Sequence, residues 1–132
     1  MEYLACMYTA LDIFLTLLHG LLVMFNLTGW AWKRTRRLHL ACISLTFLSW
    51  FGLGMVYGWG YCPPTEWHWQ VKERLGETNL PTSWVKYYAD ALTGRSWDPV
   101  LVDTTVFIGA LLALAASCWL NWRDWRSDRK TV

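Results

Sequence analysis

Asp12 and His19 interrupt an apolar run that otherwise extends from Met7 to Leu27, and they are the first residues in this chain able to do chemistry. An ionisable side chain costs ~2.5–3.5 kcal/mol at the centre of a membrane helix, so it faces a partner, a cavity or a pathway. In an outward-opening pocket Asp12 would serve as a base or proton acceptor, and His19 would relay protons. His39, Cys62, Thr65, His68 and Asp103 complete the set of candidate functional polar residues.

The other chemistries these residue types allow are weakly supported. His68 with Asp12, Asp103 and Cys62 would make an external metal site, yet no Cys-x-x-Cys or His-x-x-x-His spacing is present, so no metal is assigned. A bis-histidine haem would need His19 and His39 at one depth. At ~1.5 Å per residue they differ by roughly 13 Å, which disfavours it. There is no Gly-x-Ser-x-Gly elbow, phosphate loop or zinc-protease motif, so catalytic residues and cofactors are left unassigned. Cys6 and Cys62 would share an oxidising face, where a disulfide is one option, and Cys42 and Cys118 read as small buried hydrophobes.

The elements that position these residues are read from hydropathy. The stretches 7–30, 38–61 and 99–122 carry few ionisable residues, and each exceeds the ~20 helical residues that cross a hydrocarbon core. The expected fold is therefore all-α: three transmembrane helices in a single membrane domain over 1–132. Met1-Glu2-Tyr3 lacks the basic start of a signal peptide, so the first span is expected to be retained.

Lys33, Arg34, Arg36 and Arg37 follow the first span, and Arg123, Arg126, Arg129 and Lys130 follow the third. By the positive-inside rule both regions are cytoplasmic, which puts the amino terminus outside and the carboxyl terminus inside. The segment 62–98 has four basic against five acidic residues and suits the external face. Ten of the 11 tryptophans fall at the two proposed boundaries, as interfacial belts require. The net charge of +2 has no basic stripe with interleaved aromatics, which excludes nucleic acid as a partner.

Within 62–98 two amphipathic interfacial helices are expected. Thr65 would cap the first, to Leu75, with Trp67, Val71 and Leu75 on its apolar face; the second would run from Pro81 to Thr93. Asp98-Pro99 supplies a cap and a first-turn proline for the third span. Arg74 and Arg95 are candidate counter-ions for Asp12 and Asp103. Inside the spans, Asp12, Thr16, His19 and Asn26 form one polar seam, His39, Cys42, Thr46 and Ser49 a second, and Asp103, Ala110, Ser117 and Asn121 a third. All three are expected to face a common axis, and Gly54-x-x-x-Gly58 to permit close helix approach.

The order of Asp12 and His19, Leu38-His39-Leu40, Gly60-Tyr61-Cys62-Pro63-Pro64-Thr65 and Trp84-Val85-Lys86-Tyr87-Tyr88 resembles the bacterial family known as domain of unknown function 2784. The resemblance spans nearly the whole chain. Family members commonly carry Cys-Pro-Leu-Thr followed by an acidic residue; here Pro64 replaces the leucine, and His68 stands where that acid often lies. It implies a small bacterial inner-membrane protein and brings no established activity. Two readings follow: a non-enzymatic accessory module that meets lipid, a membrane-protein partner or its own copies, or a membrane-embedded enzyme or carrier whose pocket is lined by Asp12, His19, Cys62 and His68.

Overall fold

The computed structural model describes all 132 residues as five helices with no strand. We number them α1 (Glu2–Thr28), α2 (Arg36–Tyr57), α3 (Pro63–Arg74), α4 (Trp84–Thr93) and α5 (Pro99–Lys130). Three of them, α1, α2 and α5, are long and apolar enough to cross a membrane. Leu17, Leu21, Leu45 and Leu112 are among the many large apolar side chains left exposed along these helices, as lipid-facing surfaces require.

The helix ends follow their chemistry. Asp98 caps α5, accepting a hydrogen bond from the Val100 amide at 3.0 Å, and Pro99 occupies the first turn. Helix α5 then continues eight residues past the apolar span. Arg126 lies over Trp122 at 4.8 Å and Arg129 over Trp125 at 4.1 Å, pairs one turn apart that carry the helix into a charged extension. Cys62, rather than Thr65, is the cap residue of α3, because Pro63 and Pro64 take the first helical positions, where a missing N–H costs nothing. Ser83 caps α4 by accepting from the Lys86 amide at 3.3 Å, so that helix starts at Trp84 rather than Pro81.

Helix α2 widens into a π turn over Ser49–Leu53. Ser49 there donates to the carbonyl of Tyr61 at 2.8 Å, and the Gly60 amide donates to the carbonyl of Trp50 at 3.2 Å. These bonds fold the chain back against the end of its own helix. The glycine pair therefore works differently from the expectation. Gly54 lies against the Trp59 backbone, which a Cβ would meet at 3.3 Å, while Gly58 sits beyond the helix at φ 113°. The close approach is of the chain to itself, not of one span to another.

The three spans meet through polar atoms more than through bulk. Within the spans the buried apolar side chains are Ile43, Ala110 and Ala113, whereas Asn26, His39 and Ser117 are buried polar ones that face another span. Asn26 donates to Thr46 at 2.9 Å, joining α1 to α2, and His39 Nδ1 contacts the Ser117 hydroxyl at 2.9 Å, joining α2 to α5. Asn121 reaches across to the carbonyl of Arg36 at 3.0 Å. The expected common axis is thus present for these residues.

The turn between α1 and α2 is latched by Thr35, which donates to the Gly29 carbonyl at 2.7 Å. A Cβ on Gly29 would meet the Phe25 ring at 2.7 Å and the His39 ring at 2.9 Å. Gly29→Ala should therefore destabilise the protein by about 1–3 kcal/mol, the usual cost of overpacking, read as a lower midpoint in a detergent unfolding titration.

Candidate functional site

One turn after Thr65 along α3 come His68 and Trp69, and one turn further Lys72. These four residues are the buried face of the helix. The apolar face expected from Trp67, Val71 and Leu75 is not the one that packs: Trp67 is 57% exposed. Polar residues turn inward because α1 presents Asp12, Thr16 and His19 to them, and Asp12 finds both of its partners, His68 and Lys72, on α3.

Asp12 is the centre of this contact. Its Oδ1 accepts from His68 Nε2 at 2.7 Å and from Lys72 Nζ at 3.1 Å. Trp84 of α4 donates its indole N–H to His68 Nδ1 at 3.2 Å. That contact fixes the tautomer: Nδ1 is the acceptor, so the proton is on Nε2 and points at the carboxylate. Lys72 also donates to Glu77 at 3.1 Å, and the Tyr87 hydroxyl donates to the other Glu77 oxygen at 2.6 Å. Lys72 Nζ lies 4.7 Å from the Tyr87 ring centre, a cation–π contact.

The aromatic side of the site comes from α4. Trp84 stacks on His19 with centroids 4.6 Å apart and comes within 3.6 Å of where a Cβ on Gly20 would lie. Tyr88 shares a 2.7 Å hydrogen bond with Thr16. His19 Nδ1 lies 3.4 Å from the Thr65 hydroxyl, a long contact. Trp84 is thus a wedge between α1 and α3, bonded at its edge and stacked on its face.

Burial and charge set the protonation states. Desolvation pulls the His68 imidazole below its ordinary value of 6.5, and the Lys72 charge adds to this against the opposing pull of Asp12, so the ring is neutral at physiological pH. Desolvation works against the Lys72 ammonium too, but hydrogen bonds to Asp12 and Glu77 outweigh it and hold the group charged. Desolvation and the bond to Glu77 raise the Tyr87 phenol, keeping it a donor. A charged lysine, a neutral imidazole and a protonated phenol thus all donate to the carboxyl groups of Asp12 and Glu77.

Of the seven candidate residues, the structure brings Asp12, His19, Thr65 and His68 together. Cys62 stands at the start of α3 and makes no side-chain cap, and Cys6 and Cys62 are both free thiols. His39 belongs to the other end of the bundle, with Nε2 on the carbonyl of Asn26 at 2.8 Å and Nδ1 on Ser117. Asp103 is exposed on α5, away from the cluster. The counter-ion of Asp12 is Lys72, not Arg74 or Arg95, because only Lys72 shares the inward face with His68. No three His, Cys, Asp or Glu side chains converge in a metal-binding arrangement. Sequence reasoning missed Lys72, Glu77 and the polar roles of Trp84, Tyr87 and Tyr88. The signal for Lys72 was its position one helical turn from His68.

Lys72→Ala would leave Asp12 and Glu77 without their cation, so it should cost about 3 kcal/mol or more, as breaking a buried pair does. The readout is the midpoint of a detergent unfolding titration. Between the depressed native value of His68 and 6.5, the unfolded chain holds a proton that the folded chain does not. Stability is then complete above pH 6.5 and declines as the pH falls below it. Thermal melts in detergent across that range should show the decline, and His68→Gln should flatten it.

A search of curated proteins and of solved structures returned no match. A family model described as Protein of Unknown function (DUF2784) matches residues 9–122, which include all of the Asp12 cluster and the three polar seams. The chain belongs to the DUF2784 family.

Proposed function

We propose that this multi-pass membrane protein is a non-enzymatic accessory module that acts by binding. Its outer helices are locked over the first span and offered to a membrane partner or to a second copy of the chain. The observation that carries this reading is His68: its side chain is fully buried and both ring nitrogens are engaged, one by Trp84 and one by Asp12. A general base needs a free lone pair facing a substrate, and the one on Nδ1 is taken. Lys72, held charged, is no nucleophile either. The acid, the imidazole and the ammonium fasten α3 and α4 to α1.

Exposed Trp59 and Trp67 beside that locked segment supply the aromatic surface that a partner would cover. In this reading the protein lies in a bacterial inner membrane with α3 and α4 outside and both basic regions in the cytoplasm, as the distribution of Lys and Arg supports. The carrier or enzyme reading retains one supporting observation: both bonds to Asp12 fall on Oδ1, and the side chain is 23% exposed, so the second oxygen can meet a ligand from outside.

Native mass spectrometry of the full chain ejected from its own membranes decides between them. The binding reading expects an assembly with another copy or another membrane protein that Trp67→Ala dissociates while the unfolding midpoint stays unchanged. A monomer carrying a small organic ligand that Asp12→Asn releases would overturn it.

A further inference from the structure

The opposite end of the bundle carries eight basic residues, in the turn after α1, the start of α2 and the end of α5, against the two carboxylates Asp124 and Asp128. Between that turn and α5 lies a groove of about 580 Å³. Its floor is rigid: Arg36 holds Asp124 with two bonds, at 2.8 and 3.2 Å, and also donates to the Trp30 carbonyl at 3.1 Å. Arg36 and Asp124 therefore neutralise one another and leave the groove's other cations to act outward.

Those cations are Lys33, Arg34 and Arg37. Lys33 and Arg34 are exposed and belong to no ion pair, and Arg37 reaches Asp128 only at 4.0 Å with 88% of its side chain in solvent. Trp125, itself stacked under Arg129, forms one wall. Two unpaired cations, with Arg37 held only loosely by Asp128, stand on an ion-paired floor and form a receptor for a phosphodiester, since guanidinium groups bind phosphate through paired N–H donors.

Position selects the source of that phosphate. The groove lies where the apolar helices end: Trp125 lines it, and Trp30, Trp32 and Trp122 stand within a few residues of its lining in the chain, at the boundary where indole rings meet headgroups. Leu27 and Leu38, exposed by 39% and 65%, continue the adjoining surface toward the bilayer core, where acyl chains would lie. We propose that this groove is a binding site for the headgroup phosphate of an anionic glycerophospholipid. It stands at the other end of the molecule from the Asp12 cluster, so it does not depend on the reading of that cluster.

The test uses the full chain in phosphatidylcholine nanodiscs with a trace of chain-spin-labelled phosphatidylglycerol or phosphatidylcholine, and reads the motionally restricted fraction by electron paramagnetic resonance. The unmodified protein should select phosphatidylglycerol. Lys33→Gln with Arg34→Gln should reduce that selectivity by about fivefold or more, given the usual contribution of a basic residue at a membrane surface. Arg126→Gln with Lys130→Gln removes the same charge from another face of α5 and should change it by less than about twofold. Equal losses in both pairs would reveal only a diffuse field and overturn the site, as would selectivity that survives the first pair.

Asp128→Asn, which releases Arg37, should raise selectivity, a gain that misfolding does not produce; an unchanged or lower value counts against the groove. Inorganic phosphate added at matched ionic strength should not displace the labelled lipid. Displacement would assign the groove to soluble phosphate and overturn the lipid site.

Discussion

The contact of Asp12 with Lys72 and His68 is the constraint from which the rest of this structure follows. A carboxylate on a membrane span must be compensated by protein, because lipid offers it nothing. Compensation here comes from a helix outside the spans, and the direction of the demand fixes the geometry. Lys72 must reach the depth of Asp12, so α3 lies along α1 with its polar face inward. His68 is then carried to the same oxygen one turn earlier, and its second nitrogen needs a donor. Trp84 supplies that donor and brings α4 with it. Glu77 and Tyr87 complete the shell around the lysine, so two short helices and the turn between them are placed by one charge.

Elsewhere the bundle is held by a different economy. Apolar side chains gain little by leaving lipid for protein, so spans associate through close packing and hydrogen bonds. Small residues on α5, Ala110, Ala113 and Ser117, let α2 approach, and His39, Asn26, Thr46 and Asn121 tie the three spans together. The side-chain amide oxygen of Asn26 is still buried with no protein partner, while its backbone carbonyl is engaged by His39. The two polar regions therefore differ in kind. At the Asp12 end charges are matched against charges, and toward the basic end neutral groups pair between the spans, with the Arg36–Asp124 pair at the rim and most other cations in solvent.

Much of this was legible in the sequence, and the failures have physical reasons. Hydropathy located the spans, because a stretch of twenty apolar residues has few other uses, and the Asp98-Pro99 signal marked the start of α5. The seams of Asn26, His39, Thr46 and Ser117 were visible because a polar residue in lipid must turn toward its neighbours. Helix α3 was misread for a related reason. Hydrophobicity ranks Trp67, Val71 and Leu75 as the inward face, but the local partner was the polar stripe Asp12, Thr16 and His19 on α1, and pairing overrode transfer energy. Asp103 shared the heptad spacing of its seam and still faces outward, since nothing in 62–98 answers it. Spacing within a helix shows which residues share a face, and only the long-range partner decides whether that face is buried.

The lock also sets an order of events during synthesis. Asp12 and His68 are 56 residues apart in the chain. At roughly 5–20 residues per second, the ribosome delivers the second about 3–11 s after the first. For that interval α1 must enter the bilayer with a bare carboxylate, or wait at its edge until α3 arrives. The first span is thus secured only after the second has been made, once α3 and α4 have followed, and the second waits longer still for Ser117 and Asn121 of α5.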